Sequence, residues 1–97
     1  MTPKILDFCN ALCKSMHNVN FSVFYKDGYI KQIYFFEIVP IEGNYLFLLE
    51  EDNFKVKVWF GKKAKVSGSS VYYLNEVCKA LNEYYEEVLN NVKRNQN

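Results

Sequence analysis

The sequence predicts an α+β fold: a two-layer sandwich in which an antiparallel sheet of four to five strands is flanked by an N-terminal and a long C-terminal helix, in the order α-β-β-β-β-α. Two observations predict it. Apolar residues recur at three-four spacing at both ends of the chain, and they alternate with a period of two in the middle, between clear turn residues. Ninety-seven residues, 49% apolar and 24% charged, make room for one small domain, 1–97, with 95–97 a loose tail.

The first helix starts at Thr2-Pro3, where Thr accepts from free amides and Pro at the first helical position forfeits no hydrogen bond. Ile5, Phe8, Cys9, Leu12, Cys13 and Met16 form its apolar stripe over residues 3–17. The period then becomes two. Phe21, Val23 and Tyr25 alternate up to Asp27-Gly28, a type I′ hairpin turn that sets Lys26 opposite Tyr29. On strict alternation Phe21, Val23, Tyr25, Ile30, Tyr34, Phe36 and Ile38 face the core. Phe24, Lys26, Tyr29, Lys31, Ile33, Phe35 and Glu37 then face away.

Pro40 ends the second strand and Glu42-Gly43-Asn44 turns the chain. Residues 45–50 and 54–60 make a second hairpin around Glu51-Asp52-Asn53. Its register is open by one position, and a slip of one exchanges faces. Within its second strand Lys55, Lys57 and Trp59 share one side. Ala64-Lys65-Val66 offers a short fifth strand. The last helix runs over 71–92, with Leu74, Val77, Leu81, Tyr84 and Val88 as its stripe and Lys93 and Arg94 at the C-terminal end, where they suit the helix dipole.

Composition narrows the function. Twelve basic against eleven acidic residues give a net charge of +1, which argues against a polybasic nucleic-acid coat. The N-terminus has no apolar run of signal-peptide length and no window suits a membrane span, so a cytoplasmic protein away from the membrane is expected. Three cysteines, an odd number, suit reduced thiols. Heavy use of Asn, Lys, Tyr, Phe and Ile is the composition of an AT-rich genome, shared by organisms, phages and viruses.

No GxSxG, HExxH, Walker loop or GxGxxG occurs, and the only histidine, His17, has no identifiable nucleophile beside it. An enzyme is not expected, no catalytic residue is assigned and no cofactor is implied. Cys9, Cys13 and His17 stand at i, i+4 and i+8, and with Cys78 they could approximate a zinc site. The cysteines fall on the apolar stripe, however, where a thiol behaves as a small hydrophobe. No metal site is assigned.

Two surfaces remain. Phe24, Tyr29, Phe35 and Trp59, placed on the non-core face among charged neighbours, have the composition of a protein interface. Lys55, Lys57, Lys62, Lys63 and Lys65 cluster around Trp59 with no acid between Asn53 and Asn75, a combination suited to phosphate attraction and base stacking. Against it, residues 37–52 carry Glu37, Glu42, Glu50, Glu51 and Asp52 with no Lys or Arg. The strand pair followed by Gly61-Lys62-Lys63-Ala64-Lys65-Val66-Ser67 and a long helix resembles the single-strand-binding transcriptional coactivators of the positive-cofactor-four type over about a third of the chain. The N-terminal helix and the short second hairpin loop depart from that pattern, and no site residue is carried over.

The leading expectation is a small binding protein without catalytic activity that recognises a protein partner, in the manner of a phage- or virus-encoded modulator of a host factor. A homodimer would add burial to a small core. Single-stranded nucleic-acid binding through Lys55, Lys57, Trp59, Lys62, Lys63 and Lys65 is the alternative.

Overall fold

Pro3 opens the first helix, and the amphipathic pattern behind it does form one. The computed structural model describes residues 3–38, 45–62 and 64–95. They form α1 (Pro3–Lys14), β1 (Val19–Lys26), β2 (Tyr29–Glu37), β3 (Tyr45–Asp52), β4 (Lys55–Phe60) and α2 (Ser69–Asn95). The strands make one antiparallel meander, β1-β2-β3-β4. The predicted α-β-β-β-β-α order is therefore the observed one. Ala64-Lys65-Val66 is not a strand, so the sheet has four strands among the described residues. The Thr2 cap, Pro40, the Glu42-Gly43-Asn44 turn and Lys63 lie outside the described residues.

α1 ends three residues sooner than its stripe predicts. The Ser15 hydroxyl donates to the Leu12 carbonyl at 2.6 Å, and Asn18 turns out of the helix at φ +54°. Lys4 pairs with Glu83 at 3.7 Å, and Cys9 lies near Cys13 and Cys78, so the two helices run antiparallel. The Ser70 hydroxyl pins the entry to α2: it accepts from the Ser67 amide at 3.1 Å and donates to the Ser67 carbonyl at 2.6 Å.

Both hairpins close through two-residue loops with positive φ at each position, the signature of type I′. Asp27-Gly28 (φ +52° and +85°) joins Lys26 to Tyr29, as the sequence predicts. Asn53-Phe54 (φ +50° and +63°) joins Asp52 to Lys55. The second loop is thus Asn53-Phe54 and not Glu51-Asp52-Asn53. Phe54 accepts a left-handed backbone that costs a non-glycine residue about 1–2 kcal/mol, and its ring packs at 6.3 Å from that of Tyr29.

The faces of β2 differ from strict alternation, and the cause is local. Tyr25 pairs with Ile30 but Phe24 pairs with Gln32, which leaves Lys31 as the extra residue of a bulge. One extra residue reverses every side chain beyond it. Ile33 and Phe35, expected outside, are fully buried against the helices, while Tyr34 and Phe36, expected inside, turn to the opposite face. A second bulge leaves Leu46 unpaired, because Phe35 faces Phe47 whereas Phe36 faces Tyr45.

The core lies between the helices and one sheet face. Ile5, Cys9 and Leu12 of α1 and Leu74, Val77 and Leu81 of α2 meet Ile33, Phe35, Phe47 and Leu49. The bulge also takes Ile30 beyond the reach of β3, and α2 supplies the missing partners. The Ile30 amide donates to the Tyr84 hydroxyl at 3.0 Å, and the Tyr85 hydroxyl donates to the Ile30 carbonyl at 2.6 Å. Tyr85, rather than the Tyr84 of the predicted stripe, is the fully buried member of the pair.

Candidate functional site

With both helices on one side, the other side of the sheet carries no covering element among the described residues. The pairing fixes what shares it. One row across the four strands is Phe24, Gln32, Glu50 and Lys57; the next is Ser22, Tyr34, Leu48 and Trp59; Phe36 and Tyr45 continue above. Phe24 meets Tyr34 edge-on at 5.3 Å and Tyr34 meets Tyr45 at 6.3 Å, so the rings form a diagonal across three strands. Phe24 is 51% exposed and Trp59 42%, at opposite edges.

Charges gather toward the hairpin end. Glu50 accepts from the Gln32 amide at 2.6 Å, and Tyr34 donates to Gln32 at 3.3 Å. Lys57 lies opposite Glu50 and Lys55 opposite Asp52. The Lys57 ammonium stands 4.5 Å from the centre of the Trp59 ring, a cation–π contact. The face is therefore apolar and aromatic at its middle, with both signs of charge side by side at one end.

Of the four residues assigned to a protein interface, Phe24 and Trp59 lie on this face. Phe35 does not: it is fully buried against Phe47, ring to ring at 5.9 Å. Tyr29 does not either. It is half-buried on the helix side, 6.4 Å from the Tyr85 ring, and it donates to Glu51 at 3.1 Å. The Lys31 bulge accounts for the buried Phe35, whose alternation it reverses. Tyr34, Phe36, Tyr45 and Leu48 replace these two, and only the bulge and the β3 register, neither readable from spacing, would have revealed them. Of the basic set, Lys55, Lys57 and Trp59 share the open face, and Lys62 and Lys65 are exposed in the connection that follows.

Glu51, 8% exposed, accepts from Tyr29, from Lys31 at 3.0 Å and from the Phe54 amide at 3.0 Å. Burial pushes its carboxyl up, but these donors outweigh it and hold the group below the ordinary range. The cysteines are free thiols. Burial raises Cys9 to about 12 and Cys13 and Cys78 to about 11. His17 is exposed and contacts the Asn18 amide at 3.2 Å. Among the described residues no group of three or more His, Cys, Asp or Glu is arranged to hold a metal ion. No helix there is long and apolar enough to cross a membrane.

The sheet edges are partly closed. The Asn20 carboxamide accepts from the Phe21 amide on β1 at 2.8 Å, and Asn82 of α2 accepts from the Val56 amide on β4 at 2.8 Å. Capped edge amides discourage addition of a further strand, which directs attention to the open face. No family model, curated protein or solved structure matches this chain.

Proposed function

We propose that the protein is a small non-catalytic binding module that recognises a protein partner through the open face of its sheet. The observation that carries the reading is the ring diagonal Phe24–Tyr34–Tyr45, beside Leu48 and Trp59, which no element among the described residues covers. Solvent-facing rings rimmed by charge are the make-up of interface centres, where aromatic side chains supply contact area at low entropic cost. The mixed signs of Lys55, Lys57, Glu50 and Asp52 suit a protein surface better than a phosphate backbone, which would be repelled by the acids.

Single-stranded nucleic acid is the second reading, because Lys55, Lys57 and Trp59 do share the open face of β4. Lys57 already occupies one side of the indole, and a stacked base would have to displace it. Titrating the fluorescence of Trp59 with a mixed-sequence single-stranded oligonucleotide separates the two. The protein reading expects no response at low salt; saturable quenching that fades as salt rises overturns it in favour of nucleic acid. In parallel, a photo-crosslinking residue at Phe24 or Trp59 should give an adduct that the same residue at Glu86 does not. Equal adducts from all three positions would overturn the assignment of binding to this face.

A further inference from the structure

We propose that the occupant of the open face is a second copy of this chain, so that two sheets pack face to face with their helices outside. The inference rests on the reading of that face as a protein-binding surface and names its partner.

The register carries it. Two sheets facing across a two-fold axis that runs along the strands, between β2 and β3, lay β1 over β4 and β2 over β3 of the other copy. Each row is then read against its own reverse. Phe24, Gln32, Glu50, Lys57 meets Lys57, Glu50, Gln32, Phe24. Phe24 comes over Lys57, and Gln32 comes over Glu50. In the row above, Tyr34 comes over Leu48, and beyond it Phe36 over Tyr45. No like charges meet in these rows, so the middle of the face is self-complementary, which an isologous contact requires. A net charge of +1 adds no appreciable repulsion between copies. The one like-charge meeting is Lys26 over Lys55 at the exposed hairpin corner, where solvent screens it.

The area sets the strength. Four strands about 4.8 Å apart and roughly eight residues long at about 3.3 Å each give a face of about 500 Å² in projection. Two copies bury about 1,000 Å² before side-chain relief is counted, at the lower end of specific interfaces. A dimer that dissociates on dilution follows. The capped amides of Phe21 and Val56 weigh against the competing edge-to-edge pairing.

Sedimentation equilibrium tests this, with secondary structure checked by circular dichroism. The wild-type mass should rise from monomer toward dimer between about 1 µM and about 1 mM. The decisive pair is Phe24→Lys and Phe24→Glu. Phe24 and Lys57 of one copy lie on opposite edge strands, about 14 Å apart, so the sign of a charge at position 24 matters little within a monomer. In the dimer it faces the other copy's Lys57. At low salt Phe24→Lys should weaken association at least about tenfold relative to Phe24→Glu. Position 24 is half exposed, so both variants keep the core intact.

A folded protein that stays monomeric throughout overturns the proposal, as does a dimer indifferent to the sign of charge at position 24. A monomer that still crosslinks to a different protein from Phe24 or Trp59 overturns only the second copy and leaves the functional reading standing. A monomer without any face-dependent crosslink overturns both.

Discussion

Lys31 reaches Glu51 twice, through the carboxylate at 3.0 Å and through the backbone carbonyl at 3.2 Å. The residue extruded by the bulge thus ties β2 to β3 where their ladder has stopped. Because the folded Glu51 carboxyl lies below its ordinary 4.5, the unfolded chain binds more protons as pH falls through that region. The stabilisation is complete above about 4.5 and is lost on further acidification. Urea unfolding should therefore find Glu51→Gln less stable than wild type by about 1–3 kcal/mol at pH 7, a gap that narrows at pH 3. Lys31 is raised by its bond to Glu51, so its contribution holds below the ordinary lysine range and fades only in strong base.

Removing the Tyr85 hydroxyl leaves the Ile30 carbonyl buried without its partner. Tyr85→Phe should cost about 1–3 kcal/mol in chemical denaturation, the range for an orphaned buried acceptor. Tyr84→Phe should cost less, because Tyr84 is only half-buried and water can reach the amide it serves.

Gly61 donates its amide to the Leu46 carbonyl at 2.8 Å, and a Cβ there would collide with the carbonyl oxygen of Tyr45. The obstacle is backbone, which does not swing aside. Gly61→Ala should lower stability by about 2 kcal/mol or more, read as an earlier urea midpoint with an unchanged slope.

The thiols should be slow. At neutral pH all three are protonated, since burial lifts Cys9 to about 12 and the others to about 11, and the thiolate is the reactive form. Iodoacetamide should modify Cys13 and Cys78 slowly and leave Cys9 untouched until denaturant is added, as counted by mass spectrometry. Prompt labelling of Cys9 in the native protein would contradict its burial.

Period and turn chemistry made the element order legible in the sequence. The three-four stripe of Ile5, Cys9 and Leu12 is the buried face of α1, and Asp27-Gly28 sets the first hairpin register as expected. What escaped was a single inserted residue. Nothing about Lys31 marks it as the extra member of a bulge, because a lysine fits either face of a strand. Its effect nevertheless exchanged Phe35 with Tyr34 on the candidate surface. The second turn escaped for a different reason: Phe54 takes a backbone that Asn or Gly normally holds, and its packing on Tyr29 compensates. Trp59 and Phe24 were legible because each lies on a strand whose alternation no bulge disturbs before reaching it.

The partners of Ile30 stand 54 and 55 residues further along the chain. During synthesis the first hairpin emerges with both Ile30 groups bound only to water, and they stay so until α2 has been made as far as Tyr85. The β1–β2 hairpin can form early, but the sheet acquires its final boundary last. The arrival of Tyr84 and Tyr85, rather than any strand pairing, then times the appearance of the native state. A nascent chain stalled before Tyr84 should remain sensitive to protease at the end of β2, and one stalled well beyond Tyr85 should not.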